Sequence, residues 1–365
     1  MSARSSIAIS VVLLGTVACG GTAPTSGPPT AAGPTSAAAS TKAPTAAPTV
    51  SPAPTRLVGV FPNADGSTFV GLPTRFGHAQ PGAGRIWGVL QYGEDTRDIV
   101  RIDPETFDIQ VLVDDLPVLA NPVHGVAFSG SFWLSSWDKS SVEQYDLATG
   151  ELIREIKVGL HPIEPVVAYG DVWTLDHHGD SVTRIDVDTG EAQSIQMPGS
   201  LPLQVTPVSD DLMLVNGVSP TTYVIDPDQM EFVDTYQPSG CYEAPGWHAS
   251  AIDGRLWRKR CDVDEVAILD ARTGEVLETF PSPIHASIEP LVVDGIWWFP
   301  TAAEYDAGLF TLAGFDPETR EIVGTWQHTA SITEGWAFAG LNAWWRWGNE
   351  GILGVPADTL RAAVE

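Results

Sequence analysis

A recurring hairpin motif constrains the fold of this chain more than any other feature of its sequence. Each copy places two β-rich segments around a turn that begins with Asp and has the full form Asp-x-x-Thr-Gly in three copies, as in SVTRIDVDTGEAQSI. The leading aspartates of the six clear copies, spaced 43, 40, 40, 44 and 46 residues apart, are Asp103, Asp146, Asp186, Asp226, Asp270 and Asp316. A degenerate seventh copy, GILGVPADTLRAA, lies at residues 351–363. Because glycine tolerates the positive φ of such a turn and aspartate caps turn amides, we interpret these aspartates as structural.

A turn and a bulky residue three positions later precede each hairpin, as Gly170 and Trp173 do. With one extra residue allowed in the last copy, the bulky residues are Trp87, Trp133, Trp173, Met213, Trp257, Trp298 and Trp344. Four short strands in each repeat of about 40 to 45 residues are typical of a β-propeller blade. The sequence therefore predicts an all-β, seven-bladed propeller over residues 56–365. We expect the bulky residues to pack between blades, and residues 57–61 to add an outer strand to blade seven that closes the ring.

The segment GDVW, followed by VTRIDVDTGE, resembles the extracellular YVTN-type and streptogramin-lyase-like seven-bladed propellers. The resemblance extends over residues 57–365 and implies the propeller fold, because the matching motifs are those that build blades. Members of the lyase group use a His and Glu cluster near the propeller axis. Since no local His/Glu/His run of this chain matches that cluster residue by residue, the resemblance does not imply lyase activity.

The first 55 residues have a different composition from the rest. Residues 1–18 contain one basic residue, an apolar run and a small-residue end, which together predict a signal peptide. The sequence Val-Ala-Cys-Gly around Cys19 resembles the lipobox of bacterial lipoproteins, although Thr16 stands where that family usually carries Leu. We therefore expect residues 19–55 to be a lipidated Cys19 and a disordered Pro/Thr/Ala tether, since this composition cannot bury a core. Cleavage after Ala18 without lipidation, which would give a secreted protein, is the alternative.

Charge and cysteine content limit the partners of the predicted propeller. After Arg56 the chain carries all 46 acidic residues but only 16 of the 19 basic ones, a net charge of −30. Such a domain repels nucleic acids and anionic lipid surfaces, so neither is expected as a direct partner. We expect a monomer that contacts the membrane through its lipid anchor. Cys241 and Cys261 are an even pair in an exported chain and are predicted to form a disulfide.

A polar residue recurs nine positions before the bulky residue of each blade, just ahead of the predicted innermost strand. With the same one-residue allowance in blade seven, these residues are His78, His124, Glu164, Gln204, His248, Glu289 and Glu334. All of them are His, Glu or Gln. Because the innermost strands surround a central channel, we expect these seven residues to form a polar ring at one mouth of it, here called the collar.

The collar has the residue types of a metal site or an acid–base site. Three histidines are the predicted ligands of a divalent metal: His78, His124 and His248. Three glutamates are the predicted catalytic carboxylates: Glu164, Glu289 and Glu334. The predicted contacts to a small organic ligand are Gln204, Trp137, Trp247 and Trp336. Loops on the same side also carry His161 and the pair His177-His178.

Three functions are compatible with this pattern. The first is a metal-dependent or His/Glu-dependent lyase or hydrolase acting at the collar on a small organic substrate. The second is a non-catalytic surface propeller that binds a ligand or a protein partner through the same face. The third is a collar that only lines a water-filled channel, since a fold by itself does not fix a function.

Replacing Cys19 by alanine is expected to release the protein from the membrane fraction. The reason is that lipidation supplies the membrane affinity: several acyl chains hold a protein firmly, whereas a single chain is marginal. Detergent partitioning of the wild type and of Cys19→Ala measures the effect. A variant that stays with membranes would exclude the lipoprotein hypothesis.

Overall fold

The computed structural model describes residues 58–92, 96–117, 124–197, 199–217, 221–238, 249–252, 254–260, 263, 265–282, 290–300, 309–329, 336–348 and 351–364. The predicted signal peptide, Cys19 and the tether lie outside these ranges, as do Cys241 and Cys261. The described residues are mainly β-structure, which confirms the predicted all-β class.

The strands of the first half of the chain are β1 (Gly59–Pro62), β2 (Thr68–Gly71), β3 (Arg75–Gly82), β4 (Arg85–Tyr92), β5 (Thr96–Ile102), β6 (Ile109–Pro117), β7 (Gly125–Phe128), β8 (Ser131–Ser136), β9 (Ser141–Asp146), β10 (Leu152–Lys157), β11 (Pro162–Ala168), β12 (Asp171–Asp176), β13 (Ser181–Ile185) and β14 (Ala192–Gln196). The elements of the second half are β15 (Pro202–Ser209), β16 (Leu212–Gly217), β17 (Thr222–Asp226), β18 (Glu231–Tyr236), β19 (Ala249–Ile252), β20 (Arg255–Lys259), β21 (Glu265–Asp270), β22 (Val276–Pro281), β23 (Leu291–Val293), β24 (Ile296–Pro300), β25 (Leu309–Asp316), β26 (Glu321–Thr329), β27 (Trp336–Gly340), β28 (Ala343–Trp347), β29 (Gly351–Pro356) and the helix α1 (Ala357–Arg361).

The described strands form seven antiparallel sheets, which confirms the seven-bladed propeller. Six sheets each consist of four consecutive strands, from blade one (β3 to β6) to blade six (β23 to β26). The first strands of successive blades contact one another, as β7 contacts β3 and β11. The first strand of each blade is therefore the innermost. The start of this strand lies on the same face of the ring as the loop between the second and third strands, and we call this face the collar face. The turns that begin with the repeated aspartates lie on the opposite face, which we call the turn face.

Blade seven combines strands from the two ends of the described chain. Its sheet has the order β1-β2-β29-β28-β27, and β2 pairs with β29 in a register that includes Phe69↔Leu353. The predicted outer strand at residues 57–61 is present in blade seven as β1, but it is an additional fifth strand. The strand that occupies the fourth position and closes the ring is β2, which the sequence did not single out. The pairing closes the ring, and helix α1 buries Leu360 beside Leu353 in the same region. Among the described residues no helix is both long enough and apolar enough to cross a membrane.

One large side chain on the second strand of each blade, here called the anchor residue, packs toward the next blade. Trp173 of β12 is fully buried in a cluster with Val205 and Val215 of blade four. Its ring nitrogen also donates a hydrogen bond to the carbonyl oxygen of Ala168, five residues earlier, at 3.1 Å. These contacts confirm that the recurring bulky residues join adjacent blades.

The register of blade four corrects one predicted anchor. Met213 packs with Trp173 against blade three, whereas Leu214 packs with Leu256 of blade five. Leu214 also pairs with Val224, which lies two residues before the turn aspartate Asp226. In the same way, the anchor Trp173 pairs with Arg184, two residues before Asp186.

The anchor of blade four is therefore Leu214, and the residue nine positions before it is Val205. Gln204 lies one position outside the predicted spacing, although it pairs with Asn216, two positions after Leu214. The prediction was displaced by one residue because the first four residues of β16, 212–215, are all apolar and so give no periodic signal.

The register of blade seven corrects a second anchor. Trp345, rather than Trp344, pairs with Phe338 and donates a hydrogen bond from its ring nitrogen to Gly340 O at 3.1 Å. No inserted residue is needed, since the turn before β28 has the same length as in blade three. The alignment that selected Glu334 therefore shifts, and the residue nine positions before the true anchor is Trp336.

The turn aspartates have the predicted structural role. Asp186 Oδ1 accepts hydrogen bonds from the backbone N–H groups of Asp188 and Thr189 at 3.1 and 2.7 Å, and Gly190 has a φ of 77°. The bond from Thr189 in particular holds the pKa of Asp186 below its usual value. The same capping recurs at Asp103, Asp146, Asp226, Asp270 and Asp316.

Replacing Asp65 by asparagine is expected to weaken the ring closure. Asp65, in the turn between β1 and β2, contacts blade six: its Oδ2 lies 2.5 Å from Nδ1 of His328, and its carbonyl accepts from the ring nitrogen of Trp326 at 3.2 Å. Burial alone would raise the pKa of Asp65, but hydrogen bonds from Ser67 and His328 outweigh it, so this pKa lies below its usual value. A charge-assisted bond of this kind stabilises by about 1–2 kcal/mol.

The sign of the pH dependence follows from the lowered pKa. The stabilisation by Asp65 is present above the pKa of the unfolded chain and is lost as the pH falls through the lower folded pKa. Chemical denaturation of Asp65→Asn and of the wild type should therefore differ at pH 7 and converge in acid. Asp108→Asn, at an exposed position, is the control. Equal losses in the two variants would contradict a specific closing contact.

Candidate functional site

The collar positions whose backbone is described lie at one level of the propeller. Each collar residue on the first strand of a blade stands opposite a residue on the second strand of the same blade, one or two positions after the anchor. These pairs are His78 opposite Gly88, His124 opposite Ser135, Glu164 opposite Thr174, and Gln204 opposite Asn216. Since the four positions belong to the innermost strands of blades one to four, they follow one arc around the axis on the collar face.

Glu164 occupies an irregular point of its strand. The register of β11 shifts between Ile163 and Val166, so that Glu164 and Pro165 form a bulge. Glu164 also has a φ of 45°, in the left-handed region that non-glycine residues seldom adopt. Bulges and such backbone strain are common beside functional sites, where they redirect a side chain. The inner strands of blades one and four have register shifts at the same level.

The described collar side chains are buried, although the sequence predicted an open channel mouth. His124, Glu164 and Gln204 expose 0, 1 and 2% of their surface, respectively. The backbone of His124 is held by Ser135, whose hydroxyl donates to His124 O at 3.1 Å. The collar in these three blades is therefore an interior polar layer and not a solvated rim.

The carboxyl group of Glu164 lacks compensation within the described structure. Its Oε1 has no hydrogen-bond partner among the described residues. Burial raises the pKa of Glu164 well above its usual value, because removal from water disfavours the charged form. A protonated Glu164 can both donate and accept a hydrogen bond, and a cation placed beside it would favour the ionised form.

A cluster of four rings lies on the collar face at blades two and three. Trp137 stacks on His161 with centroids 4.4 Å apart and planes inclined by 6°, and His178 meets both rings edge-on. The Nδ1 atom of His177 donates to Pro202 O at 2.9 Å. Burial lowers the pKa of His177, and this bond opposes the effect only in part. We call this group the rim cluster, and it includes the predicted ligand contact Trp137.

Asp176 is a buried carboxyl that the sequence did not single out. It ends β12, and its Oδ2 accepts hydrogen bonds from Ser181 and Thr183 at 2.7 and 2.6 Å, while its Oδ1 has no partner among the described residues. Burial raises the pKa of Asp176 to about 6, against the effect of those two bonds. An acidic residue that ends a hydrophobic strand just before His177 was the available signal.

The other predicted site residues cannot be placed as side chains. Outside the described residues lie Cys19, Cys241, Trp247, His248, Cys261, Glu289 and Glu334. For His78 and Trp336 the structure describes the strand position alone, in β3 and β27. The structure therefore describes three of the seven predicted collar side chains, His124, Glu164 and Gln204, each buried on the innermost strand side of one of three consecutive blades.

The predicted metal site stays a prediction. Within the described ranges, no group of three or more His, Cys, Asp or Glu side chains is arranged to hold a metal ion. Of the three predicted histidine ligands, only His124 has a described side chain, and the collar positions of the two flanking blades are those of His78 and Glu164.

No protein-family model and no curated protein sequence matches this chain. Solved structures are similar in fold. The WD40 β-propeller domain of Doa1 has a TM-score of 0.57 at 13% identity, covering 79% of this chain and 94% of its own. A chain of the mitotic checkpoint complex has a TM-score of 0.55 at 10% identity, covering 74% of this chain and 84% of its own. The WD40 domain of Toxoplasma gondii coronin has a TM-score of 0.54 at 14% identity, covering 82% of this chain and 88% of its own. At these identities the comparison supports the β-propeller class alone.

Replacing Glu164 by glutamine is expected to stabilise the protein at pH 8 but not at pH 4. Between the pKa of Glu164 in the unfolded chain and its higher pKa in the folded protein, the carboxyl is ionised in the unfolded chain but protonated in the folded one. The free energy of unfolding therefore falls as the pH rises through this range. Glutamine removes that loss, by about 1.4 kcal/mol for each unit of the pKa difference. Denaturant unfolding at both pH values measures the effect, with the exposed Glu191→Gln as control. A wild type that is as stable as Glu164→Gln at pH 8 would show that Glu164 ionises freely.

Proposed function

We propose that this protein is an exported, membrane-anchored propeller that binds a small ligand carrying a hydrogen-bond donor, preferably an ammonium group, at its collar. The observation that carries the proposal is Glu164, a buried carboxyl with an unpartnered oxygen on a strained bulge of an innermost strand. Burying an unpaired polar group costs free energy, and native proteins seldom keep such a group without a role. A cationic ligand would offset that cost.

The surroundings of Glu164 support a ligand site. His124 and Gln204, at the same level of the flanking blades, supply further donors and acceptors. Trp137 and His161 present stacked rings on the face above. Convergent polar groups with aromatic neighbours are typical of sites for small organic molecules. A protein partner on the same face is the alternative occupant, and one similar structure, the mitotic checkpoint complex, is an assembly.

The proposed location rests on the sequence alone. The signal-like residues 1–18, Cys19 and the tether support export and lipid anchoring, and cleavage without lipidation would give the secreted form. The charge of −30 after Arg56 supports a partner that is neither nucleic acid nor an anionic lipid surface.

Ligand binding at the collar is tested with a panel of small primary amines and the alcohols of equal size. Amines should raise the melting temperature more than the alcohols do, and calorimetric affinity should rise with pH until Glu164 is ionised, because only the carboxylate pairs with a cation. Glu164→Gln should weaken amine binding at least tenfold, or about 1.4 kcal/mol. The control Glu191→Gln should bind as the wild type does.

Two outcomes would contradict the collar site. One is an amine that binds equally well to the wild type and to Glu164→Gln. The other is binding that survives the changes His124→Ala and Gln204→Ala together. Melting temperatures of all variants without ligand separate loss of binding from loss of folding.

A second candidate function is a metal-dependent or His/Glu-dependent lyase or hydrolase. The raised pKa of Glu164 favours it, since a carboxyl that keeps its proton above the usual pH range can act as a general acid. In this mechanism His78, His124 and His248 would hold a divalent metal, and Glu289 would assist proton transfer. Metal analysis of protein purified without chelator tests it: about one first-row ion per chain, lost in His124→Ala, is expected for the enzyme.

A further inference from the structure

A cavity of about 150 Å³ lies between blades five and six, away from the collar. Its apolar walls include Ile252, Ile268 and four aromatic rings: Trp257, Phe280, Trp297 and Phe315. Arg255, Glu278 and Arg320 complete the lining together with Pro317. Since Pro317 and Arg320 belong to the turn between the third and fourth strands of blade six, the cavity opens on the turn face.

The four rings form the wall of a compact aromatic site. Trp257 meets Trp297 edge-on with centroids 5.1 Å apart and Phe280 at 5.6 Å, and Phe280 stacks on Phe315 at 5.5 Å with planes inclined by 12°. An apolar cavity of comparable volume is known to hold a benzene ring. The space therefore suits one aromatic ring.

Trp257 also offers a hydrogen bond that its blade does not use. The anchor tryptophans of blades one, two, three and seven each donate from the ring nitrogen to the carbonyl five residues earlier, whereas those of blades five and six, Trp257 and Trp298, do not. Of these two, Trp257 lines the cavity. Trp257 is 6% exposed, and its buried ring nitrogen has no acceptor among the described residues. A ligand atom with a lone pair would satisfy this donor.

The charges at the mouth favour an anion. Arg320 is paired with Glu278 across the two blades, whereas Arg255 has no ion pair among the described residues. The lining thus has one uncompensated guanidinium group. An arginine binds a carboxylate through parallel hydrogen bonds, whereas a cationic ligand would be repelled.

The corresponding interface of blades two and three is built differently. There the positions of Trp297, Phe315 and Phe280 are held by Val172, Ile185 and Ile156. Arg154 extends across this interface and donates to carbonyl oxygens of the next turn, including those of Val187 and Asp188 at 3.2 Å each. The aromatic side chains at these three positions and the unused ring nitrogen of the anchor tryptophan are therefore found between blades five and six but not between blades two and three.

We propose that this cavity binds a monocyclic aromatic carboxylate. The ring occupies the aromatic walls, the carboxylate pairs with Arg255 at the mouth, and a ring acceptor such as a phenolic oxygen accepts the hydrogen bond of Trp257 Nε1. This site lies on the turn face and is independent of the ligand proposed for the collar.

The test is calorimetric titration of the full-length mature protein with 4-hydroxybenzoate, followed also by tryptophan fluorescence. We expect a dissociation constant of about 0.1 to 1 mM, as suits a ligand of about ten heavy atoms. Benzoate should bind more weakly because it leaves Trp257 Nε1 unsatisfied, and phenyltrimethylammonium, with the opposite charge, should not bind.

Arg255→Gln should weaken 4-hydroxybenzoate at least about tenfold. The matched control is Arg85→Gln, which changes the arginine at the same position of blade one, where it pairs with Asp103 at 3.1 Å. Ile268→Phe, which fills the cavity, should abolish binding. Near-ultraviolet circular dichroism and the melting temperature check that each variant is folded.

Several outcomes would overturn the site. They are no heat of binding at about ten times the expected dissociation constant, equal affinity in Arg255→Gln and Arg85→Gln, or tighter binding of phenyltrimethylammonium than of 4-hydroxybenzoate. A loss of binding in Glu164→Gln would assign the ligand to the collar instead. An unchanged affinity in that variant is expected here, whatever the collar itself binds.

Discussion

The packing of one blade against the next is the interaction on which the whole structure depends. A four-stranded sheet has two faces to cover, and each blade covers them with the anchor of the preceding blade on one side and its own anchor on the other. Trp173 and Leu214 illustrate the sequence of contacts, since each is fully buried against the blade that follows it. Removing a buried tryptophan from such an interface typically costs about 3–5 kcal/mol. No blade has a complete core by itself, so the ring is stable only as a unit.

This packing also explains how the collar becomes an interior layer. When the sheets pack side by side, their first strands are drawn together around the axis, and polar residues at the starts of those strands converge. The bulge at Glu164 then allows a polar side chain to occupy a level at which regular pairing would place apolar residues such as Ile163 and Val166. Burial at this level turns an ordinary carboxyl into one with a strongly altered proton affinity.

The sequence allowed the architecture to be predicted, because turn chemistry repeats wherever a hairpin repeats. Asp186 and Gly190 show this: their local pattern alone determines the turn. The anchors were less certain, since Met213 and Leu214 are both large and apolar, and only pairing with the next strand distinguishes them. The same ambiguity separates Trp344 from Trp345. Neither the bulge at Glu164 nor its burial could be predicted, because both depend on neighbouring blades far away in the chain. The cavity beside Trp257 was also missed, since it depends on how the rings of two blades meet.

Ring closure through β2 has a consequence for how this chain reaches its folded state. Phe69 pairs with Leu353, so a strand near the start of the propeller waits for about 280 further residues before its partner exists. A chain that is synthesised amino end first can therefore form the β1–β2 hairpin early, but that hairpin lacks its partner β29 until residues 351–356 have been made. Contacts of such long sequence separation slow folding and leave strand edges open in the interval. The closing hairpin is thus the last part of the propeller to be secured and the first place at which another chain could pair by mistake. The protein is therefore most exposed to aggregation just after its synthesis.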